Sequence, residues 1–387
     1  VSKVGLYAFK TAGKVIVGRG ALAQAGPEAA ALGKGKALVV TDGTMVDLGL
    51  ADKLVENLAA NGVQADVFPD VEPEPSMGTA IRCAARLGEG GYDLVVGLGG
   101  GSCLDVAKAG AAAMDAPESL PNYLGTNKVP GRSIGLFLIP TTAGTGTEVT
   151  PNAIVLDTDK EEKQGIVSPY LYADVSLVDP ELTVSKPPAV TAATGMDALT
   201  HAIEAFVSKN ASPMTDLLAL EAVSLIGANL RRAVADGSDI EAREQMMFGS
   251  MLAGMAFANA GLGAVHAIAM AMGGFGVTHG RANALMLPYV MRFNRESNPE
   301  KFARLAVAMG LDLQGLSVDE AGEQAVEAVA RLGKDVGCPQ TLPEVGIGPD
   351  RLDLLVRKSF DQQRLLKNNP RPAGMAELEQ ICRSALG

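Results

Sequence analysis

Histidine occurs three times in this 387-residue chain, cysteine four times and tryptophan not at all. The cysteines, Cys83, Cys103, Cys338 and Cys382, are scattered without a CxxC pair. That distribution argues against both a disulfide framework and a thiolate zinc site. No run is long and apolar enough to span a bilayer, and the opening Val1-Ser2-Lys3-Val4-Gly5-Leu6-Tyr7 lacks the order of a signal peptide. A cytoplasmic location is therefore expected. Basic clusters are missing as well, and the formal net charge is -11, which argues against a nucleic acid or an anionic membrane as partner. An anionic cofactor would have to be held by backbone amides and helix N-termini rather than by a field of lysines.

What is present is the composition of a globular protein, 47% hydrophobic, in a chain long enough for two cores, since single cores stop growing beyond about 250 to 300 residues. The first half alternates short apolar runs with helical patterns. Lys36 to Asp42, Ala65 to Phe68, Tyr92 to Gly97 and Ile134 to Pro140 read as strands, while Leu48 to Asn61, Met77 to Leu87 and Cys103 to Met114 read as helices. Strands separated by helices predict a parallel sheet covered on both faces. From about Pro188 onward Ala, Leu, Met and Glu recur with helical periodicity and no strand is evident. The prolines between Asp179-Pro180 and Pro187-Pro188 interrupt both patterns and mark the boundary. The expected division is an α/β domain over residues 1–185 and an all-α domain over residues 186–387.

The scarce histidines lie between positions 201 and 279. In Gly195-Met196-Asp197-Ala198-Leu199-Thr200-His201 the residues after the glycine are compatible with a helix. Asp197 and His201, spaced i and i+4, would then share one face and could chelate one ion. A solvent-exposed Asp–His pair is the alternative. His266, in an apolar run, and His279, before Gly280, complete a set of three imidazoles and a carboxylate. Such a set suits iron or zinc and leaves a coordination position open. A lone histidine in an apolar run is more often a core residue, but here none is left over.

Two loops follow predicted strands. Gly97-Leu98-Gly99-Gly100-Gly101-Ser102 opens a helix, where glycines admit a close pyrophosphate and the free amides and helix dipole favour its charge. It is not the GxGxxG fingerprint, and a ligand-free tight turn is the other reading. The second loop, Pro140 to Glu148, is lined with threonines. Paired loops at strand ends of one sheet are where open α/β domains bind ligands. Asp42 ends the first strand of this sheet, where a carboxylate would accept from ribose hydroxyls and repel a 2′-phosphate, favouring NAD over NADP. An N-cap aspartate is the simpler alternative.

Taken together, Gly99 to Ser102, Thr141 to Glu148, Gly195 to His201 and His266 to Gly280 make the chain resemble the iron-containing, group III alcohol dehydrogenases. The resemblance runs over essentially the whole chain, including Asp179-Pro180-Glu181-Leu182-Thr183 and the turn Asn369-Pro370-Arg371. It implies the dehydroquinate synthase-like architecture: an N-terminal dinucleotide-binding domain, a helical C-terminal domain and a metal in the cleft between them. It implies Asp197, His201, His266 and His279 as ligands of Fe2+, with Zn2+ as the alternative. It assigns Gly99, Gly100, Gly101, Ser102 and Asp105 to the phosphate loop and Thr141, Thr142, Thr145 and Thr147 to the second cofactor loop. Asn152 and Lys163 match positions on the nicotinamide side, and Asp42 matches the ribose-recognising acid of NAD-preferring members.

Two departures stand out. Many members carry a further histidine four residues after the third ligand, implicated in proton transfer, and here that place is Met270. Glu74, in Pro73-Glu74-Pro75, stands where many have asparagine. The loop between His266 and His279 also looks one residue shorter than in close relatives.

The resemblance implies hydride transfer between nicotinamide and a small metal-bound alcohol or its aldehyde or ketone, by a homodimer or higher homo-oligomer. With no histidine left over, the proton is expected to leave through water and the cofactor ribose, and Met270 to make the substrate pocket more apolar. A gap-filling core methionine is the plainer account of Met270. A glycerol or diol dehydrogenase of the same superfamily is the nearest alternative function. A metallohydrolase could use the same ligands but has no need of two glycine loops, and a non-catalytic metal protein leaves Asp42 and Lys163 unexplained.

Overall fold

The computed structural model describes residues 6–157 and 162–387. Most of the N-terminal stretch in which no signal peptide was read, Val1 to Gly5, lies outside the described residues. The chain divides into two compact units, one spanning Thr11–Val184 and the other Ser185–Gly387 together with the segment ending at Lys10. That short segment, which the sequence reading places with the first domain, groups with the helices. The Asn259 side chain accepts from the Lys10 amide at 2.8 Å and donates to the Lys10 carbonyl at 2.9 Å.

The first unit is built on β1 (Lys14–Val17), α1 (Ala25–Ala31), β2 (Lys36–Val40), α2 (Gly43–Asp47), α3 (Leu50–Ala60), β3 (Gln64–Phe68), α4 (Met77–Gly90), β4 (Leu94–Gly99), α5 (Gly101–Ala113), β5 (Gly125–Thr126), β6 (Gly135–Pro140), β7 (Asn152–Asp157), β8 (Glu162–Val167) and β9 (Val175–Val178). Six strands form one parallel sheet in the order β1-β9-β6-β4-β2-β3. The predicted strands β2, β3, β4 and β6 are its centre and one edge, whereas β1 and β9 extend it beyond the strands read from sequence. A smaller sheet, β5-β8-β7, contains the antiparallel pair β7–β8.

Central strands buried on both faces explain why their sequences are continuous apolar runs. One face packs Val39, Val96 and Phe137 against Ala25, Leu54 and Leu58 from α1 and α3. Behind the other face lies α5, buried along nearly all its length because, apart from Ser102, Asp105 and Lys108, it is made of small and apolar residues. Its approach to the sheet depends on Gly97, where an added Cβ would meet Ala107 Cβ at 3.0 Å.

The second unit contains α6 (Pro188–Val207), α7 (Pro213–Ala235), α8 (Ile240–Ala260), α9 (Ala264–Gly273), α10 (His279–Arg295), α11 (Pro299–Ala308), α12 (Val318–Asp335), α13 (Leu352–Phe360), α14 (Gln363–Leu366) and α15 (Met375–Ser384). No strand occurs in it among the described residues, and no single helix there is long and apolar enough to cross a membrane. Helix α6 runs through Gly195 rather than starting there. The glycine is a contact point, since Leu230 of α7 and Met246 of α8 close over it and a Cβ would lie 2.9 Å from Met246 Cε.

Candidate functional site

Helix α6 presents Asp197 and His201 one turn apart, α9 supplies His266 from its first turn, and His279 is the first residue of α10. The sequence spacing therefore sets Asp197 and His201 on one helical face, and the fold brings His266 and His279 to them. The four ligand atoms lie within 4.8 Å of one another. Asp197 Oδ1 is 4.0 Å from His201 Nε2, 3.9 Å from His266 Nε2 and 3.7 Å from His279 Nε2. A tetrahedral site with 2.1 Å bonds has ligand separations of about 3.4 Å, so a small inward movement of these side chains would close them on one cation. An N3O donor set of this kind fits a divalent first-row metal.

The solvent-exposed Asp–His alternative does not hold, because Asp197 and His201 retain 3% and 4% of their surface. His279 is the open side, with 31% of its side chain accessible. Phe257 stacks on His201 with ring centroids 4.4 Å apart, and His266 lies over the same imidazole at 4.7 Å. Burial alone would raise the Asp197 pKa. The facing His201, His279 and His266, helped by a hydrogen bond from Asn283, hold it below the ordinary value instead.

Two residues at this cluster escaped the sequence reading. Glu204, three residues beyond His201 on α6, accepts from His266 Nδ1 at 2.6 Å and from the Val265 amide at 2.7 Å. A carboxylate can only accept here, so Nδ1 carries the proton and Nε2 turns its lone pair to the cluster. Asn283, one turn beyond His279, donates from Nδ2 to Asp197 Oδ1 at 2.6 Å and has no exposed surface. Both were signalled by helical spacing, i+7 from Asp197 and i+4 from His279. The Asn369-Pro370-Arg371 turn braces the same region, because Asn369 Oδ1 accepts from the Ala264 amide, the first of α9, at 3.2 Å, and from Asn294 at 3.0 Å. Met270 is one turn after His266 and partly exposed.

In the first unit, the two glycine and threonine loops meet at the carboxyl ends of β4 and β6. The Thr141 amide donates to the Gly99 carbonyl at 2.8 Å. Gly99 has φ 147°, which favours glycine, and a Cβ on Gly101 would lie 2.8 Å from Thr145 Cγ2. Gly100 caps α5, so Gly101 and Ser102 offer amides at a helix N-terminus. Thr142, Thr145 and Ser102 are partly exposed at this rim, while Thr141 and Thr147 are buried beneath it. Asp105 turns inward, accepting from the Ile154 amide at 3.0 Å. Asn152 opens β7.

Asp42 does serve as an N-cap, accepting from the Met45 amide at 3.0 Å through Oδ1, and the Cys103 thiol donates to Oδ2 at 3.4 Å. Its partial exposure at the end of β2 leaves the carboxylate at the same rim. Lys163 pairs at 2.7 Å with Glu74, the departing residue, which sits in a left-handed conformation with φ 56°.

Family models match both units: "Iron-containing alcohol dehydrogenase" over residues 12–180 and "Fe-containing alcohol dehydrogenase family, C-terminal" over residues 191–386. The chain belongs to the iron-containing alcohol dehydrogenase family and is an alcohol oxidoreductase of that family. It is 45% identical over 374 residues to long-chain-alcohol dehydrogenase 1 of Geobacillus thermodenitrificans (strain NG80-2), covering 95% of this chain and 94% of that protein. It is 37% identical to an NAD-dependent methanol dehydrogenase of Bacillus methanolicus, covering 96% and 97%. Among solved structures, a 1,3-propanediol oxidoreductase superposes with a TM-score of 0.96 at 39% identity, over 99% of this chain and all of that one.

Proposed function

We propose that this protein transfers hydride between NAD(H) and a small alcohol or its aldehyde or ketone, with a divalent cation held by Asp197, His201, His266 and His279. The convergence of these four donors within 4.8 Å carries the reading, because every histidine of the chain is used there. A cation in that place supplies Lewis acidity, polarising the oxygen of an alcohol or carbonyl so that hydride leaves or joins the adjacent carbon more readily. Iron(II) is the proposed metal and zinc the alternative, since imidazole and carboxylate suit both.

The division of labour follows the domains, with cofactor binding assigned to residues 1–185 and metal binding to residues 186–387. Gly99, Gly100, Gly101 and Ser102 present the α5 N-terminus to the pyrophosphate. Thr142 and Thr145 offer hydroxyls beside it, and Thr141, Thr147 and Asp105 support those loops from within. Asn152 and Lys163 serve the nicotinamide side. Asp42 accepts from the adenosine ribose and its charge disfavours a 2′-phosphate, so NAD(H) is preferred over NADP(H). Met270 is assigned to the substrate pocket, and with no spare histidine the proton would leave through water and the ribose of a bound cofactor.

A diol substrate is the second reading, supported by the likeness to a 1,3-propanediol oxidoreductase. A cytoplasmic setting is supported by four buried cysteines, none of which is joined in a disulfide. A homodimer or higher homo-oligomer is proposed on the open edge of the main sheet at β1, where Val17 is 43% exposed.

The test is a panel of small alcohols, diols and aldehydes followed at the NADH absorbance, with enzyme reconstituted separately with Fe2+ and Zn2+. Turnover with at least one class, dependent on metal and lost in His279→Ala, is expected. No turnover with any member would remove the proposal.

A further inference from the structure

Lys108 has no exposed surface. It lies on α5 two turns beyond Gly101, in a helix otherwise made of small and apolar residues apart from Ser102 and Asp105. Its ammonium donates to three backbone carbonyls of one irregular segment: that of Thr147, that of Thr150 at 2.7 Å and that of Asn152 at 2.9 Å. The Thr150 hydroxyl is a further 3.4 Å partner. Asp105 and Glu148 are the neighbouring charges. Burial pushes the Lys108 pKa down to about 8 and those of Asp105 and Glu148 up to about 7.

A buried ammonium is costly unless every proton is answered, and a carbon side chain would pack on this face without that cost. What carbon cannot do is satisfy inward-facing carbonyls. Along Thr147 to Asn152, the carbonyls of Glu148, Val149 and Pro151 accept from Ser176, Thr11 and the Ser168 amide, and that of Thr147 also accepts from Thr150, while those of Thr150 and Asn152 turn to Lys108. Lys108 supplies the donors. The segment it holds continues directly from the Thr141–Thr147 loop, while the first turn of its own helix carries Gly101 and Ser102. These two loops touch through Thr145 on Gly101 and through the Thr141 amide on Gly99.

We propose that Lys108 is a positioning residue of the nucleotide site: its ammonium ties the Thr147–Asn152 segment to α5 and thereby fixes the spacing of the two cofactor loops. The inference rests on reading those loops as the NAD(H) site. With no exposed surface, Lys108 acts through the loops. Its loss should appear in cofactor affinity, with metal uptake and turnover at saturating cofactor retained.

The experiment uses Lys108→Gln, which keeps a short amide donor, and Lys108→Met, which keeps the stem without a donor, both in the metal-loaded full chain. Hydrogen bonds from a charged donor suggest that the Kd for NADH rises about tenfold in K108Q and about a hundredfold in K108M. The KM for NAD should rise in parallel, kcat should stay within about twofold, and metal content should be unchanged. Amide hydrogen exchange across residues 148–154 should accelerate in both variants. Unchanged NADH affinity with only a lower melting temperature would mean a structural role alone and overturn the proposal. If K108M does not fold, K108Q decides by the same readouts. If the unsubstituted protein itself does not bind NADH, the nucleotide reading falls, and amide exchange in K108Q then decides the clamp: acceleration sustains it and unchanged rates overturn it.

Discussion

Glu204 takes the Nδ1 proton of His266 at 2.6 Å while its second oxygen takes the Val265 amide at 2.7 Å, so one buried carboxylate fixes both the ring and the start of the helix that carries it. In Glu204→Gln a single oxygen remains for two donors, and an NH2 group faces one of them. Partners of metal-bound histidines are typically worth about 10- to 100-fold in metal affinity, and a loss of that size is expected in chelator competition. An unchanged affinity would show that His266 needs no such partner.

Met270 stands one turn from His266 on the partly exposed side of α9. Met270→His would introduce a group that titrates between about pH 5 and 8. The pH dependence of kcat should gain a new ionisation while metal content stays at the level of the unsubstituted protein. Loss of metal would instead mean that position 270 intrudes on the ligand set.

Asp42 combines a cap with a charge. Asp42→Asn keeps an oxygen for the Met45 amide, so α2 should persist while the negative charge disappears. The ratio of kcat/KM for NAD over that for NADP should fall about tenfold, the effect of roughly 1.4 kcal/mol of lost repulsion. A ratio that does not move would assign the discrimination to another residue.

Acid should act through Asp174. Burial alone would raise its pKa, but Arg132, bonded to both carboxylate oxygens at 2.8 Å, and the Leu136 amide at 2.8 Å hold it below the ordinary value. A folded pKa below the unfolded one gives stability that is present above the unfolded value, about 3.9, and is lost as pH falls through the folded value. The side chain is 42% exposed, so the effect is modest. Asp174→Asn should melt lower than the unsubstituted protein at neutral pH, and the gap should narrow below about pH 4. Parallel melting curves across that range would rule this origin out.

The buried strands and the helical second half were legible because each has a local signature: continuous apolar runs for β2, β4 and β6, and 3.6-residue periodicity after Pro188. Strands β1 and β9 were not. They are four residues each, too short for a periodicity to develop, and β1 is an edge strand whose partial exposure weakens its apolar pattern. The antiparallel pair β7–β8 likewise carries mixed residues, since burial alternates along β7.

By itself the sequence determined which side chains the cluster could draw on. Asp197 and His201 share a helical face by spacing alone, and a chain with three histidines has no others to offer. It also determined the glycine loops, because a close turn before a helix requires residues without Cβ atoms. Tertiary structure alone decided what surrounds these groups: Glu204 on His266, Asn283 on Asp197, Asn369 at the start of α9, and Lys108 beneath the second loop. Each of these joins residues far apart in the chain or on different helices, and a hydrogen bond depends on direction and on a few tenths of an ångström. Spacing along one helix carries such information only within that helix, so the partners became visible when packing brought the separate elements together.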